Sequence, residues 1–233
     1  MSAPALVPSN IRNESIAGIT YHIQGELVPT LMVEIPPNNS IYFEHHVLLW
    51  KSPKLNVRLK RMKGAMKRMF AGLPILLTGT TGSGHVALSR DGAGQICPVH
   101  LNKGQAIHVR EHQFLAATQN ISYSFSMVRG FSNLFFGASG FFVDHFSAPD
   151  TPGVVWLHGY GNMFEINLKQ GEQIDVEPSA WVYKDPGVKL ETKIQGLTAS
   201  LLGATNTRFM FNRFTGPGRL GIQSMSVYMP ARN

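Results

Sequence analysis

The 233-residue chain has a single cysteine, Cys97. That excludes a disulfide framework and a thiolate zinc cluster, and it fits a reducing compartment. No stretch holds the ~18 uninterrupted apolar residues that a membrane-spanning helix needs. The start, MSAPALVPSNIRNES, lacks a basic region followed by an apolar run, so no secretory signal is expected. The Asn-x-Ser sequons at Asn13, Asn38 and Asn120 then have no glycosylating context. The expectation is a cytoplasmic protein, at most peripheral to a membrane, and not secreted. Charge is sparse at 15%, against 43% hydrophobic residues, a globular balance rather than a disordered one. Acids are missing between Lys51 and Arg68, where eight basic residues fall: Lys51, Lys54, Arg58, Lys60, Arg61, Lys63, Lys67 and Arg68. Taking those eight from the formal +7 leaves the rest of the chain at −1, so the basicity is one local feature.

Catalytic signatures are equally thin. GTTGSG (79–84) lacks the Gly-Lys-Ser/Thr of a phosphate loop and reads as a hairpin turn. LHGYG (157–161) resembles an oxyanion loop, but no G-x-S-x-G elbow accompanies it. His108-Val-Arg-Glu-His112 fits H-x-x-E-H, in which two histidines hold zinc and a glutamate acts as base. That chemistry requires a helix, where residues four apart share a face.

Internal repetition decides against a helix there. IPPNNSIYFEHHVLLWKSPKLNV (from Ile35), LNKGQAIHVREHQFLAATQNISY (from Leu101) and LKQGEQIDVEPSAWVYKDPGVKL (from Leu168) align without a gap over 23 columns. Eight columns are apolar in all three segments, against about two expected at 43% apolar content, which marks a triplication with a period of 66–67 residues. The columns include Ile41/Ile107/Ile174, Phe43/Val109/Val176 and Trp50/Ala116/Tyr183. Each segment leads on to a Gly-x-(Val/Leu)-x-(Leu/Ile) strand at Gly84, Gly153 and Gly218, and GITYHIQG (18–25) reads as the lead strand of the first.

Within the segments apolar residues alternate, the pattern of half-buried strands. On an extended chain His108 and His112 lie roughly 13 Å apart, too far for one ion. Adjacent His45 and His46 point to opposite faces of a strand. The expectation is an all-β protein of three tandem repeats with pseudo-threefold symmetry, built of bent antiparallel ribbons with short helical segments between. Residues 1–14 are expected as a flexible tail, and 15–233 as a single domain with repeats at about 15–83, 84–152 and 153–230. No catalytic residue, metal, cofactor or small-molecule substrate is assigned, so the protein is read as a non-enzyme.

The triple pattern, KGAMKRMFAG (63–72) and FNRFTGPGRLGIQS (211–224) together resemble the altered-inheritance-of-mitochondria (protein twenty-four) family, from about Ile19 to Tyr228. The resemblance implies the fold of the trp RNA-binding attenuation protein. For biology it implies organisation of the mitochondrial inner membrane, where the eukaryotic member is found. Two positions depart from the family pattern. Pro36-Pro37-Asn38 stands where the other repeats have a Leu-x-x-Gly-type turn, and Leu73 stands where an acid usually follows Gly72.

One stretch breaks the alternation. From Leu59 to Phe70 the apolar residues Leu59, Met62, Met66, Met69 and Phe70 fall at helical spacing, opposite Arg58, Lys60, Arg61, Lys63, Lys67 and Arg68. This basic amphipathic segment suits an anionic membrane surface, to which each basic residue contributes about 1 kcal/mol at most. Nucleic acid, RNA in particular, is the second partner class, although the window lacks interleaved aromatic residues for stacking. The phenylalanine-rich run Gly130–Phe146 (Phe131, Phe135, Phe136, Phe141, Phe142, Phe146) is expected mostly in the core, with some of it at a contact between copies. The reading is an oligomerising scaffold or adaptor on an anionic membrane surface. An RNA-binding module is the alternative, and a metal-dependent hydrolase the remote one.

Overall fold

The computed structural model describes residues 3–60, 77–128, 141–196 and 208–225. Among them the protein is all-β, with one short 3-10 turn at His45–Val47. Three N-terminal strands come first: β1 (Ala5–Leu6), β2 (Ile11–Ile16) and β3 (Ile19–Gln24). Six follow in the first third of the chain: β4 (Thr30–Ile35), β5 (Ile41–Glu44), β6 (Leu48–Lys51), β7 (Asn56–Leu59), β8 (Leu77–Thr81) and β9 (Gly84–Leu88). The second third has β10 (Gly94–Leu101), β11 (Ala106–Arg110), β12 (Phe114–Thr118), β13 (Ser122–Val128), β14 (Phe141–Ser147) and β15 (Gly153–Tyr160). The last has β16 (Met163–Leu168), β17 (Gln173–Val176), β18 (Trp181–Lys184), β19 (Lys189–Gly196), β20 (Arg208–Thr215) and β21 (Gly218–Gln223).

The ladders recur. In each third the sixth strand lies between the first and third (β4-β9-β6, β10-β15-β12, β16-β21-β18). The fifth lies between the second and fourth (β5-β8-β7, β11-β14-β13, β17-β20-β19). All these pairings are antiparallel, and the third strand of each third carries a register shift at an equivalent place, around Leu49, Leu115 and Val182. Such bulges sharpen twist and bend, which lets a short strand leave one sheet and the chain continue in another. Consecutive thirds are joined by two further ladders, β5 with β12 and β11 with β18.

The outcome is a set of sheets ordered β2-β3-β4-β9-β6, β10-β15-β12-β5-β8-β7, β1-β16-β21-β18-β11-β14-β13 and β17-β20-β19. The first packs on the second through a core that contains Tyr21, Leu31, Val33, Phe43, Leu88, Val154 and Trp156. The second packs on the third through Tyr42, Phe114, Phe146, Val155, Leu157 and Tyr183. The third packs on the fourth through Ile166, Trp181, Val188, Phe214 and Leu220. Val154 and Trp156 of β15 enter the first core while Val155 and Leu157 enter the second, as period-2 geometry requires. Strands buried on both faces therefore read as unbroken apolar runs, such as FLAA in β12 and VVWL in β15.

Several expectations shift. The stretch 1–14, expected as tail, contains β1 paired with β16 and most of β2, which pairs with β3 because Ile11 and Ile16 pack against the first core. GTTGSG is not a hairpin turn: β8 and β9 belong to different sheets, and the connection crosses between them. By its ladders the strand at Gly84 closes the first third rather than opening the second, and β3 lies between β4 and the outer β2 rather than in the sixth-strand position. The helical segment expected from Leu59 begins as strand, since β7 runs through Leu59, and residues 61–76 lie outside the described ones. Of the phenylalanine-rich run, Phe142 and Phe146 are buried, while Phe131, Phe135 and Phe136 lie outside the described residues. A closed threefold arrangement of the same ladders would also pair β6 with β17. Each is instead the outermost strand of its own sheet.

The turn after the first strand is one device used three times. Asn39 N donates to Pro36 O (3.2 Å), Gln105 N to Asn102 O (2.9 Å) and Glu172 N to Lys169 O (3.0 Å). The third turn residue is left-handed in each: Asn38 at φ 69°, Gly104 at 82° and Gly171 at 77°. Asparagine is the residue that tolerates this region best after glycine, so the departure at Pro36-Pro37-Asn38 keeps the turn. Asn38→Ala is expected to lower stability by roughly 1 kcal/mol and Asn38→Gly to preserve or raise it. Urea midpoints of the two variants check this.

Candidate functional site

The basic stretch starts on β7, the outer strand of its sheet, paired to β8 in the register Val57↔Thr80, Arg58↔Gly79 and Leu59↔Thr78. Val57 turns inward onto the first core, whereas Arg58 and Leu59 are exposed, Leu59 at 64%. Lys54, in the preceding turn, is exposed as well. Lys60 ends the described part of the stretch, and its N–H donates to Leu77 O (2.7 Å). Its Nζ stands 3.5 Å from the centroid of the Tyr42 ring, a cation–π contact. Burial holds the Lys60 ammonium below the ordinary lysine value. Tyr42 is fully buried and donates its hydroxyl to Ile121 O (3.1 Å); burial, then the Asp144 carboxylate, raises its pKa. Lys60 is thus a structural cation over the aromatic row Tyr42, Phe114 and Phe146.

Of the residues the sequence assigns to an anionic surface, the structure exposes Arg58 and withdraws Lys60. Arg61, Lys63, Lys67 and Arg68 lie outside the described residues, as do Met62, Met66, Met69 and Phe70 of the apolar face. On the strand, Leu59 shares no face with Arg58, since neighbours alternate sides.

The buried polar groups have other work. Glu44, at the end of β5, and Arg90, after β9, form a buried ion pair, and Arg90 Nη2 also donates to Phe114 O (2.7 Å). The pair ties the first third to the second. No local motif announced it, because its members lie 46 positions apart. His158, on the wholly buried β15, sits near Arg90, and its backbone N–H donates to Gln113 O (2.8 Å). Burial first, then the Arg90 charge, pushes the His158 pKa down to about 4. Tyr21, whose pKa is raised chiefly by burial, donates to Glu14 (2.5 Å) and contacts His100 Nε2 (3.1 Å), linking two sheets. Tyr183 donates in the same way to Glu165.

His108 and His112 are not a ligand pair. His108 lies in β11, its ring edge-on to that of His145 at 4.3 Å, and burial followed by Lys184 and His145 pushes its pKa down to about 4. His112 occupies a left-handed turn position beyond the strand, at φ 67°. Among the described residues no three His, Cys, Asp or Glu side chains are grouped to hold a metal ion.

A sequence model described as "Mitochondrial biogenesis AIM24" matches residues 21–225, nearly the whole chain. The chain belongs to this family. The chain also resembles a solved structure, the X-ray crystal structure of protein SPYM3_0169 from Streptococcus pyogenes, with a TM-score of 0.68 and 18% identity. The match covers 89% of this chain and 94% of that one, and at this identity it speaks for the fold. No curated protein matches the sequence. No helix among the described residues is long and apolar enough to cross a membrane.

Two outcomes test the buried polar groups of this chain. Glu44→Ala leaves Arg90 buried without its carboxylate and is expected to destabilise by roughly 3–5 kcal/mol, read from denaturant midpoints. His158 binds its proton less readily folded (about 4) than at its ordinary 6.5. The unfolded chain therefore takes up more protons at acid pH. Stability is fully present above about 6.5 and falls as pH drops towards 4. His158→Gln is expected to flatten that fall, in melting temperatures followed from pH 7 to 4.

Proposed function

We propose that this AIM24-family chain is a non-enzymatic scaffold or adaptor that rests on an anionic membrane surface through the basic stretch entered from β7. The observation that carries the reading is the exposure of Arg58 on an outer strand. That strand leads directly into Arg61, Lys63, Lys67 and Arg68 in a window without an acid. Exposed cations in such a window fit an anionic leaflet, which attracts them by charge. The family's description points to mitochondrial biogenesis, which favours a structural role without specifying a ligand. A non-enzymatic reading is favoured by the use of buried ionisable groups as internal ties, namely Glu44 with Arg90, Tyr21 with Glu14, and Tyr183 with Glu165.

Flotation with neutral and anionic vesicles tests this. The variant carries Arg58, Arg61, Lys63, Lys67 and Arg68 as glutamate, and leaves Lys60 on Tyr42 to keep the fold. The wild type is expected to float with anionic vesicles only. Binding should weaken as the screening length falls from ~30 Å at 0.01 M salt to ~8 Å at 0.15 M, and the variant should not float. No flotation at either salt sinks the proposal. Retention of single-stranded RNA with a steep salt dependence, without flotation, replaces it with a nucleic-acid role.

A further inference from the structure

One row of cross-strand neighbours recurs in every third of the chain, and its three versions differ in chemistry. In the first third, Tyr42 of β5 lies between Ala117 of β12 and Gly79 of β8. In the second, His108 of β11 lies between Lys184 of β18 and His145 of β14, and Ser124 of β13 stands beyond His145. In the last, Asp175 of β17 faces Arg213 of β20, which faces Glu191 of β19. The first version is filled by an aromatic ring, since Tyr42 is fully buried. The last is charge-balanced, Asp175 accepting two bonds from Arg213 (2.7 Å each). The middle version sets an ammonium beside two imidazoles with no carboxylate in the row. Basic groups placed directly opposite one another are unfavourable in a sheet unless something offsets them.

The row runs from solvent at β13 to the interior at β18. Ser124 and Ser126 are exposed, His108 and His145 are half-buried, and Lys184 is buried. Several of its donors remain uncommitted. Lys184 Nζ donates to Val188 O (2.6 Å) and Asp185 O (3.4 Å), which leaves a third ammonium hydrogen. His145 Nε2 bonds with Ser126 Oγ (2.7 Å), which leaves its other nitrogen. His108 meets the His145 ring edge-on at 4.3 Å, and neither of its nitrogens has a hydrogen-bond partner among the described residues. The neighbouring charges are engaged elsewhere. Asp185, beside Lys184, is taken by Arg219 through both oxygens (3.0 and 3.2 Å), and Arg110, next on the same face of β11, donates to Ser179 O (2.9 Å). A metal cation fits this row poorly, because no third ligand joins the two histidines among the described residues and the ammonium repels it.

We propose that the row Lys184–His108–His145, with Ser126 at its mouth, binds a tetrahedral oxyanion of the phosphate or sulfate class. Such an ion presents several acceptor oxygens, and the row offers an ammonium, two imidazoles and a hydroxyl on one face of one sheet. Directly opposite residues lie roughly 4.5–5.5 Å apart between Cα atoms, a spacing that hydrogen bonds to one such ion can bridge. Binding is coupled to protons. In the free protein burial, then Lys184, then His145 push the His108 pKa down to about 4, and burial, then Lys184, lowers that of His145. A bound anion offsets the Lys184 charge and favours the imidazolium form, so both pKa values rise. The complex therefore takes up protons, and affinity grows as pH falls from 7 towards 5. The row shares no residue with the stretch 51–68, so it stands whether or not that stretch meets a membrane.

Sulfate is the first probe, because its charge is constant over this pH range; chloride at equal ionic strength is the reference. The imidazole signals of His108 and His145, assigned through His108→Gln and His145→Gln, are followed by NMR in the intact chain. Sulfate is expected to move both signals saturably, to raise both pKa values and to bind about tenfold more tightly at pH 5 than at pH 7, the change that a one-unit rise in pKa supplies. Lys184→Met is expected to weaken binding by about tenfold or more, since it removes a charge-assisted bond. Ser126→Ala, at an exposed position, should weaken it less and leave the melting temperature unchanged, and it serves where Lys184→Met does not fold. Competition then separates the sources of such an ion. Displacement of sulfate by inorganic phosphate alone marks a free ion, and displacement by glycerol phosphate at equal strength or better marks a lipid headgroup. Signals that stay in place, or that drift without saturating, overturn the proposal. So does a response of equal size in the Lys184→Met and Ser126→Ala chains, which would need no such site.

Discussion

The ladder between the second strand of one third and the third strand of the next is the constraint on which this structure depends. β5 with β12 and β11 with β18 turn what would be small separate ribbons into sheets of six and seven strands. A short ribbon is only marginally stable alone. Joined, the ribbons bury β12, β15 and β18 on both faces and edges, where every backbone N–H and C=O must find a partner in the ladder. The apolar runs of these strands, the equivalent bulges and the left-handed turns all follow from holding short strands in that arrangement.

Complete burial also decides where charge is tolerated. Glu44 and Arg90 meet where the first and second thirds join, and Arg90 also caps the Phe114 carbonyl. Isolated, either charge would be prohibitive at that depth; paired and hydrogen-bonded, they serve as a specific clasp. Lys60 follows the same logic in milder form, its ammonium placed over the Tyr42 face rather than in solvent. A residue counted by sequence as part of a charged surface is thus spent on the interior, and the outward charge of β7 falls to Arg58.

Much of the fold was legible beforehand, and the reasons are local. Ile41, Ile107 and Ile174, or Phe43, Val109 and Val176, share columns because a strand alternates whatever it pairs with. Asn38 in the place of Gly104 and Gly171 departs from the pattern, yet its backbone angle is the same. Strands β1 and β2 were not legible, because they are short, mostly exposed and hold to strands far along the chain or to a bulged neighbour. The layer crossing at Gly82–Gly84 was also hidden. A glycine-rich turn between two strands looks the same whether they pair with each other or part into different sheets.

The candidate site divides along the same line. Sequence by itself determined the charge of the stretch 51–68, the alternation of its flanking strands and the apolar character of Leu49, Trp50 and their counterparts, since these are properties of residue type and order. Only the tertiary structure decided that Trp50 stands half exposed while Ala116 and Tyr183, in the same column, are buried. It likewise decided that Lys60 turns inward while Arg58 stays out. The physical reason is that a strand's pattern is written in its own residues, whereas the neighbour on its free edge comes from a segment tens of residues away. Whether an apolar residue becomes core or surface depends on that neighbour.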